Sequence, residues 1–223
     1  MAEQTTIESG FELIKKLKDW SPGRFKTDTL FCTIDVADLY TMRPQTEGVL
    51  SLGKMLNCLN LKQVDGLKIE TIIRLSRFVM QNNYFSFDGQ FYHQKQGGAM
   101  GSPLTLTMAN FYIFFFERQI SKQVNNSGGL YLRYIDDLFL VINWPERHLL
   151  KQIEKWNHID QNIKLQAHIG HTTNFLDLYM QNDNGVLATC VFHKSSYEPY
   201  YLPFNSIHPM HMKKNIAFAM CLR

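Results

Sequence analysis

Apolar residues recur along this chain in two periods, and the switches between them mark out the elements. Over residues 7–20, Phe11, Ile14, Leu17 and Lys18 fall at helical spacing, which predicts a short amphipathic helix ended by Ser21-Pro22-Gly23. Residues 30–36 have strand composition, and Leu39-Tyr40-Thr41-Met42-Arg43-Pro44 leads out of them. The patterns at 45–58 and 66–82 predict helices. Tyr84-Phe85-Ser86-Phe87 and Gln90-Phe91-Tyr92-His93 alternate about Asp88-Gly89, the signal of a hairpin with a two-residue turn. A glycine-rich stretch, 96–102, precedes Pro103, which opens a long helix predicted over 104–122. After a loop at 125–129, Leu130-Tyr131-Leu132 and Leu138-Phe139-Leu140-Val141-Ile142 predict two strands. A helix is predicted over 145–160, with Pro145 near its start. Residues 163–169 and 175–180 alternate as strands, and 186–193 pairs with the latter across Asn182-Asp183-Asn184-Gly185. The tail from Ser195 is aromatic and histidine-rich, with a short basic helix around 212–220. Helices and hairpins mixed in this way indicate an α+β fold, an antiparallel sheet packed on helices.

Composition narrows the class without naming a function. With 223 residues, 45% of them hydrophobic and 13% aromatic, the chain can bury a real core as one domain, or one domain with an appendage. A net charge of +3 allows a nucleic-acid partner and does not demand one. Cys32, Cys58, Cys190 and Cys221 are widely spaced with no CxxC pair, which reads as reduced thiols in an intracellular protein. The first ten residues are too polar for a signal peptide, and no apolar run approaches the roughly 18 residues of a membrane span. The expectation is an intracellular, membrane-free location, with nucleus and cytoplasm not distinguished.

Tyr134-Ile135-Asp136-Asp137, between two strands, changes that picture. Adjacent aspartates suit a solvated turn. They also repel: at about 4 Å and an effective dielectric near 20 the cost is on the order of 4 kcal/mol. A divalent cation removes that cost, and hard cations such as Mg²⁺ share carboxylate oxygens with substrate phosphates. Asp35, following Phe31-Cys32-Thr33-Ile34, is a third acid placed to project from a strand end. Three carboxylates suffice for two ions about 3.5–4 Å apart, which clamp the attacking and leaving oxygens of an in-line displacement. Asp35 is therefore expected to meet Asp136 and Asp137 in the fold.

Three separated segments carry a family resemblance. Asp35-Val36-Ala37-Asp38-Leu39-Tyr40, then Gln96-Gly97-Gly98-Ala99-Met100-Gly101-Ser102-Pro103, then Tyr134-Ile135-Asp136-Asp137 resemble motifs A, B and C of reverse transcriptases, in that order. Phe175-Leu176-Asp177 resembles the motif E turn, the primer grip. The resemblance runs from about residue 25 onward. Leu39-Tyr40-Thr41, Arg43-Pro44, Ala109-Asn110 and Ser206-Ile207-His208-Pro209 are closest in style to Penelope-like retroelements.

The resemblance implies a polymerase palm that is an RNA-directed DNA polymerase, adding nucleotides to a primer 3′-hydroxyl with two Mg²⁺ ions, for which Mn²⁺ could substitute. Asp35 and Asp136 would be the main metal ligands, Asp137 an auxiliary one, and Val36 would offer its carbonyl. Val36, Ala37, Asp38, Tyr40, Gln96 and Gly97 would surround the incoming deoxynucleotide and template base. Tyr40 matches the steric gate against a 2′-hydroxyl. Phe175, Leu176 and Asp177 would hold the primer. The implied partners are an RNA or DNA template with its primer, and dNTPs.

The same resemblance divides the chain into a helical lead-in (1–24), a palm (25–194) and the start of a thumb-like or connecting region (195–223). The glycine motif is one residue longer than the retroviral form. Arg24 and Lys26 are poor stand-ins for the basic residues of a fingers region, and no GIY-YIG endonuclease segment is visible. The expectation is a palm-centred fragment, with fingers and thumb largely missing. The alternative is a non-catalytic remnant that at most binds nucleic acid. Three weaker signals remain. Lys164 lies near the motif D position of a proton donor. Cys190 and His193, with His208 and His211, superficially suggest zinc. Lys213-Lys214 with Tyr197, Tyr200 and Tyr201 could meet a nucleic-acid backbone.

Overall fold

The structure, a computed structural model, describes residues 5–37, 39, 45–193 and 206–221. The chain divides into two compact units, Met1–Val191 and Phe192–Arg223. The second contains one described helix, α6 (Met210–Cys221). In the first, a four-stranded antiparallel sheet is built from β6 (Leu130–Tyr134), β7 (Asp137–Ile142), β1 (Leu30–Ala37) and β8 (Lys164–Gly170), in that spatial order. A three-stranded sheet joins β9 (Thr172–Phe175), β10 (Leu178–Asp183) and β11 (Val186–Val191). Two hairpins stand apart, β2 (Gln63–Val64) with β3 (Leu67–Lys68) and β4 (Tyr84–Phe87) with β5 (Gln90–His93). The helices of this unit are α1 (Gly10–Trp20), α2 (Gln45–Cys58), α3 (Ile69–Gln81), α4 (Pro103–Asn126) and α5 (Glu146–Trp156).

The main sheet is covered on both faces, so β7 reads as the unbroken apolar run Leu138–Ile142. Side chains alternate between the faces. Cys32, Ile34, Leu138, Leu140 and Ile142 pack on the helix side against Ile113, Phe116 and Ile120 of α4 and Leu149, Ile153 and Trp156 of α5. Phe31, Leu132, Phe139 and Val141 occupy the other face, under Leu13, Leu17 and Trp20 of α1 and Phe175, Leu178 and Met180 of the second sheet. A third cluster joins α2, α3 and α4 through Val49, Leu52, Leu56, Met80 and Met108.

Several elements differ from the sequence pattern. The buried stripe of α1 is Leu13, Leu17 and Trp20, and Phe11, expected on that stripe, is 81% exposed. Helix α3 begins only at Ile69, because Asp65-Gly66 turns the preceding residues into the β2–β3 hairpin with φ of 48° and 80°. Helix α4 continues to Asn126. The predicted strand over 175–180 is two strands, turning at Leu176-Asp177. The segment before α1 also reaches the sheet. The Ile7 N–H donates to the Arg133 carbonyl at 2.9 Å, and Ile7 is buried.

Candidate active site

The β1–β7 ladder sets Asp35 directly opposite Asp137. Opposed residues in an antiparallel pair project from one face with Cβ atoms roughly 4.5–5.5 Å apart. Asp136 sits beside them in the two-residue turn that the Tyr134–Asp137 pair closes. Its carboxyl is held above the ordinary value of 3.8, first by burial and further by the negative charge of Asp35, against a backbone hydrogen bond that acts the other way. The three predicted acids are thus brought together. Asp35 and Asp137 occupy the face that also carries Phe31 and Phe139 (same parity on β1 and β7), so one face of the sheet is apolar and covered at one end. At the other end Asp35 is exposed.

Val36 is buried in the helix-side core, and Ala37 ends β1. Asp38 and Tyr40 lie outside the described residues. Lys164 opposes Ala37 and Gln166 opposes Asp35, so Lys164 shares the acidic face one pleat further along. Phe175 stacks obliquely on Phe139, with centroids 5.1 Å apart, two residues along β7 from Asp137. The Phe175-Leu176-Asp177 turn therefore borders the acidic end. Gln96 is exposed and Gly97 buried, with φ of 63° at Gly97. Gly98 has no room for a side chain: a Cβ there would lie 2.4 Å from Thr105 Oγ1 in the first turn of α4. Ala99, Met100, Ser102, Thr105 and Leu106 line a cavity of about 290 Å³ at this junction.

Two turns share an unusual backbone. Among the described non-glycine residues with positive φ, four are Asn or Asp, which tolerate it. The other two are Ile135 (54°) and Leu176 (55°), each immediately before an aspartate in a predicted functional turn. A branched aliphatic residue held there costs on the order of 1–3 kcal/mol and persists only where the surroundings over-determine it.

Two residues that the sequence does not single out brace the glycine segment and the acidic turn. Gln45, the first residue of α2, donates from Nε2 to the carbonyls of Gln94 (3.0 Å) and Gly97 (3.2 Å), tying down the glycine segment. Arg133 is buried on the helix side of β6 and donates from Nη1 to the Ile135 carbonyl at 2.9 Å. Asn110, one partner of Arg133, belongs to a motif visible in sequence. Arg133 itself carries no local signal.

Among the described residues, no three His, Cys, Asp or Glu side chains gather into a ready-made metal cage. That is compatible with magnesium, which is usually held by one or two carboxylates together with waters and substrate phosphates. Asp35 and Asp136, with Asp137 alongside, would be a hard oxygen donor set of that kind. Their mutual repulsion is what a cation would relieve.

The Asp136 shift gives a signed expectation. A carboxyl whose folded pKa is raised contributes stability below its unfolded pKa, and that contribution is lost as pH rises through the folded value. Without divalent ions, thermal stability should therefore fall as pH climbs above 3.8, and Asp136→Asn should flatten part of that slope. Glu117, raised chiefly by burial, titrates in the same direction, so only the difference between wild type and variant reports on Asp136. Identical melting-temperature profiles for the two proteins would contradict the coupling.

No family model and no curated protein sequence matches the chain. Solved structures of telomerase do match it. The apo enzyme of Candida tropicalis, truncated from its C-terminal domain, superposes with a TM-score of 0.62 at 14% identity over 85% of this chain and 42% of that one. Telomerase of Candida albicans in complex with a TWJ fragment of telomeric RNA gives 0.66 at 13% identity, over 83% of this chain and 36% of that one. The corresponding Candida tropicalis complex covers 99% of this chain and 38% of its own, at a TM-score of 0.62. The chain spans about two fifths of the length of these structures. The likeness shows that the chain shares the fold of part of these telomerase structures.

Proposed function

We propose that this chain is the palm of an RNA-directed DNA polymerase that extends a primer 3′-hydroxyl on an RNA or DNA template. The observation that carries the reading is the meeting of Asp35 with Asp136 and Asp137 at the open end of a sheet of this fold. Asp35 and Asp136 would hold two Mg²⁺ ions, with Asp137 and the Val36 carbonyl assisting. Mn²⁺ is a substitute of the same chemistry. When bound, the ions would acidify the 3′-hydroxyl and neutralise the leaving pyrophosphate. The chain's own residues supply position. Gln96 and Gly97 present backbone and side chain to the nucleotide and template base, and Phe175, Leu176 and Asp177 flank the primer end. Lys164, on the acidic face, would hold a proton near the departing phosphates. Motif style supports a retroelement origin near the Penelope-like group. A nucleic-acid partner is supported by the motifs, by the mild positive charge and by the RNA present in two of the structural relatives.

Primer extension on an RNA template with Mg²⁺ and dNTPs tests this, comparing the 223-residue chain with its Asp136→Asn variant. The chain should extend weakly, since a charge of +3 gives little phosphate grip, and the variant not at all. No Mg²⁺-dependent extension by the chain would leave a non-catalytic remnant. Tyr40→Ala in the active form should raise ribonucleotide incorporation relative to deoxyribonucleotide. A constant ratio would make Tyr40 an ordinary packed ring.

A further inference from the structure

We propose that Arg133 is a positioning residue for the acidic turn: its buried guanidinium fixes the Ile135 carbonyl from behind the sheet and thereby aims the Asp136 carboxylate. The side chain is 5% exposed and lies on the helix face, opposite the acids. Nε donates to Glu117 Oε2 at 2.9 Å, and Nη1 donates to both Asn110 Oδ1 and the Ile135 carbonyl at 2.9 Å. Tyr131 donates its hydroxyl to the same Glu117 oxygen at 3.0 Å. Glu117 and Asn110 are two turns apart on α4. One planar fork therefore links the helix that follows the glycine segment to the turn that carries the acid. Lysine, a single ammonium, cannot reproduce that fork.

Stability alone is a poor reason for this arrangement. A buried ion pair often contributes no more than well-packed apolar residues of the same volume. This one is also incompletely satisfied, because Glu117 Oε1 is buried with no hydrogen-bond partner among the described residues. Meanwhile Ile135 holds a positive φ in a two-residue turn where glycine, asparagine or aspartate is the usual occupant. No residue of the turn itself favours that conformation at this position. Among the described residues, the hydrogen bond from Arg133 to its carbonyl is an external constraint on that conformation.

The test uses the full chain and two variants. In Arg133→Met/Glu117→Met both buried charges are removed together, so neither is left uncompensated. In Arg133→Lys the charge opposite Glu117 remains and the fork is lost. Hydrogen exchange of the 134–138 amides is read beside global melting temperature. Mn²⁺ affinity is read by electron paramagnetic resonance, with Asp136→Asn as the control. The double variant should melt at or above wild type, while the turn amides exchange several-fold faster. Its Mn²⁺ affinity should drop by about 10–100-fold, the usual effect of losing a group that orients a ligand. Arg133→Lys should shift both readouts in the same direction by less, and it decides the matter if the double variant does not fold.

Turn exchange equal to wild type in a folded variant overturns the proposal. So does faster exchange everywhere in proportion to lost global stability, which would mark Arg133 as structural only. The Mn²⁺ readout rests on the metal-binding reading above. If wild type and Asp136→Asn bind Mn²⁺ equally, that reading fails, and the exchange data still judge Arg133.

Discussion

Asp136→Asn should abolish primer extension by the active form while leaving the fold as stable as before, or more so. The two effects have one cause. Asp136 is partly buried beside Asp35, and both burial and that neighbouring charge work against its ionised form. Asparagine has nearly the same shape and no charge, so in the absence of metal the variant loses repulsion and keeps its packing. For unit charges about 4 Å apart at an effective dielectric near 20 the interaction is on the order of 4 kcal/mol, which bounds the gain from above because the site is partly solvated. Catalysis depends on the same charge in the opposite sense. A neutral amide is a far poorer ligand for a hard cation, and without the ions the protein supplies little chemistry of its own. Scanning calorimetry with and without Mg²⁺ separates these effects. Wild type should gain stability as Mg²⁺ saturates, by about 2.7 kcal/mol at a hundred times the dissociation constant, and the variant should gain less. Ordinary extension rates by Asp136→Asn would end the metal reading.

Much of the site could be seen in the chain because its signals are local. Asp136 and Asp137 stand between two apolar runs, and period-two alternation announces the strands on either side. Asp35 is fixed by the ladder: once β1 pairs with β7, the residue opposite Asp137 has to be Asp35. Features decided by distant partners were less visible. Phe11 and Leu13 are both apolar and both fit a helical stripe, and only the presence of Phe31, Leu132 and Phe139 across the interface selects Leu13. Arg133 reads as a strand-surface residue until Glu117, on a separate helix, receives it. Alternation alone runs a strand through Leu176-Asp177, where the motif resemblance expects a turn, because leucine at positive φ breaks the usual turn chemistry. The mismatches at 135 and 176 fall in the two turns that the motif resemblance marks as functional, where local preference gives way to position.

A chain beginning at residue 25, where the motif resemblance starts, should fail to fold as a stable monomer. Ile7, Leu13 and Leu17 are each at most 2% exposed, and Trp20 is 6% exposed. Burying three such aliphatic side chains contributes roughly 5–9 kcal/mol, and the tryptophan adds to it. The sum rivals the 5–15 kcal/mol that typically separates a folded domain from its unfolded ensemble. Truncation would also uncover the part of the Phe31, Leu132, Phe139 and Val141 face that the second sheet does not cover, an apolar surface that favours aggregation. Two polar ties would go as well: Trp20 Nε1 donating to the Gly128 carbonyl at 3.0 Å, and the Ile7 N–H donating to Arg133 at 2.9 Å. Point variants grade the effect. Leu17→Ala should lower stability by about 2–5 kcal/mol in urea unfolding. Phe11→Ala, on the exposed side of the same helix, should stay within about 0.5 kcal/mol of wild type. A truncated chain that unfolds cooperatively at the full-length urea midpoint would show that this helix only rests on the sheet and that the second face is stable without it.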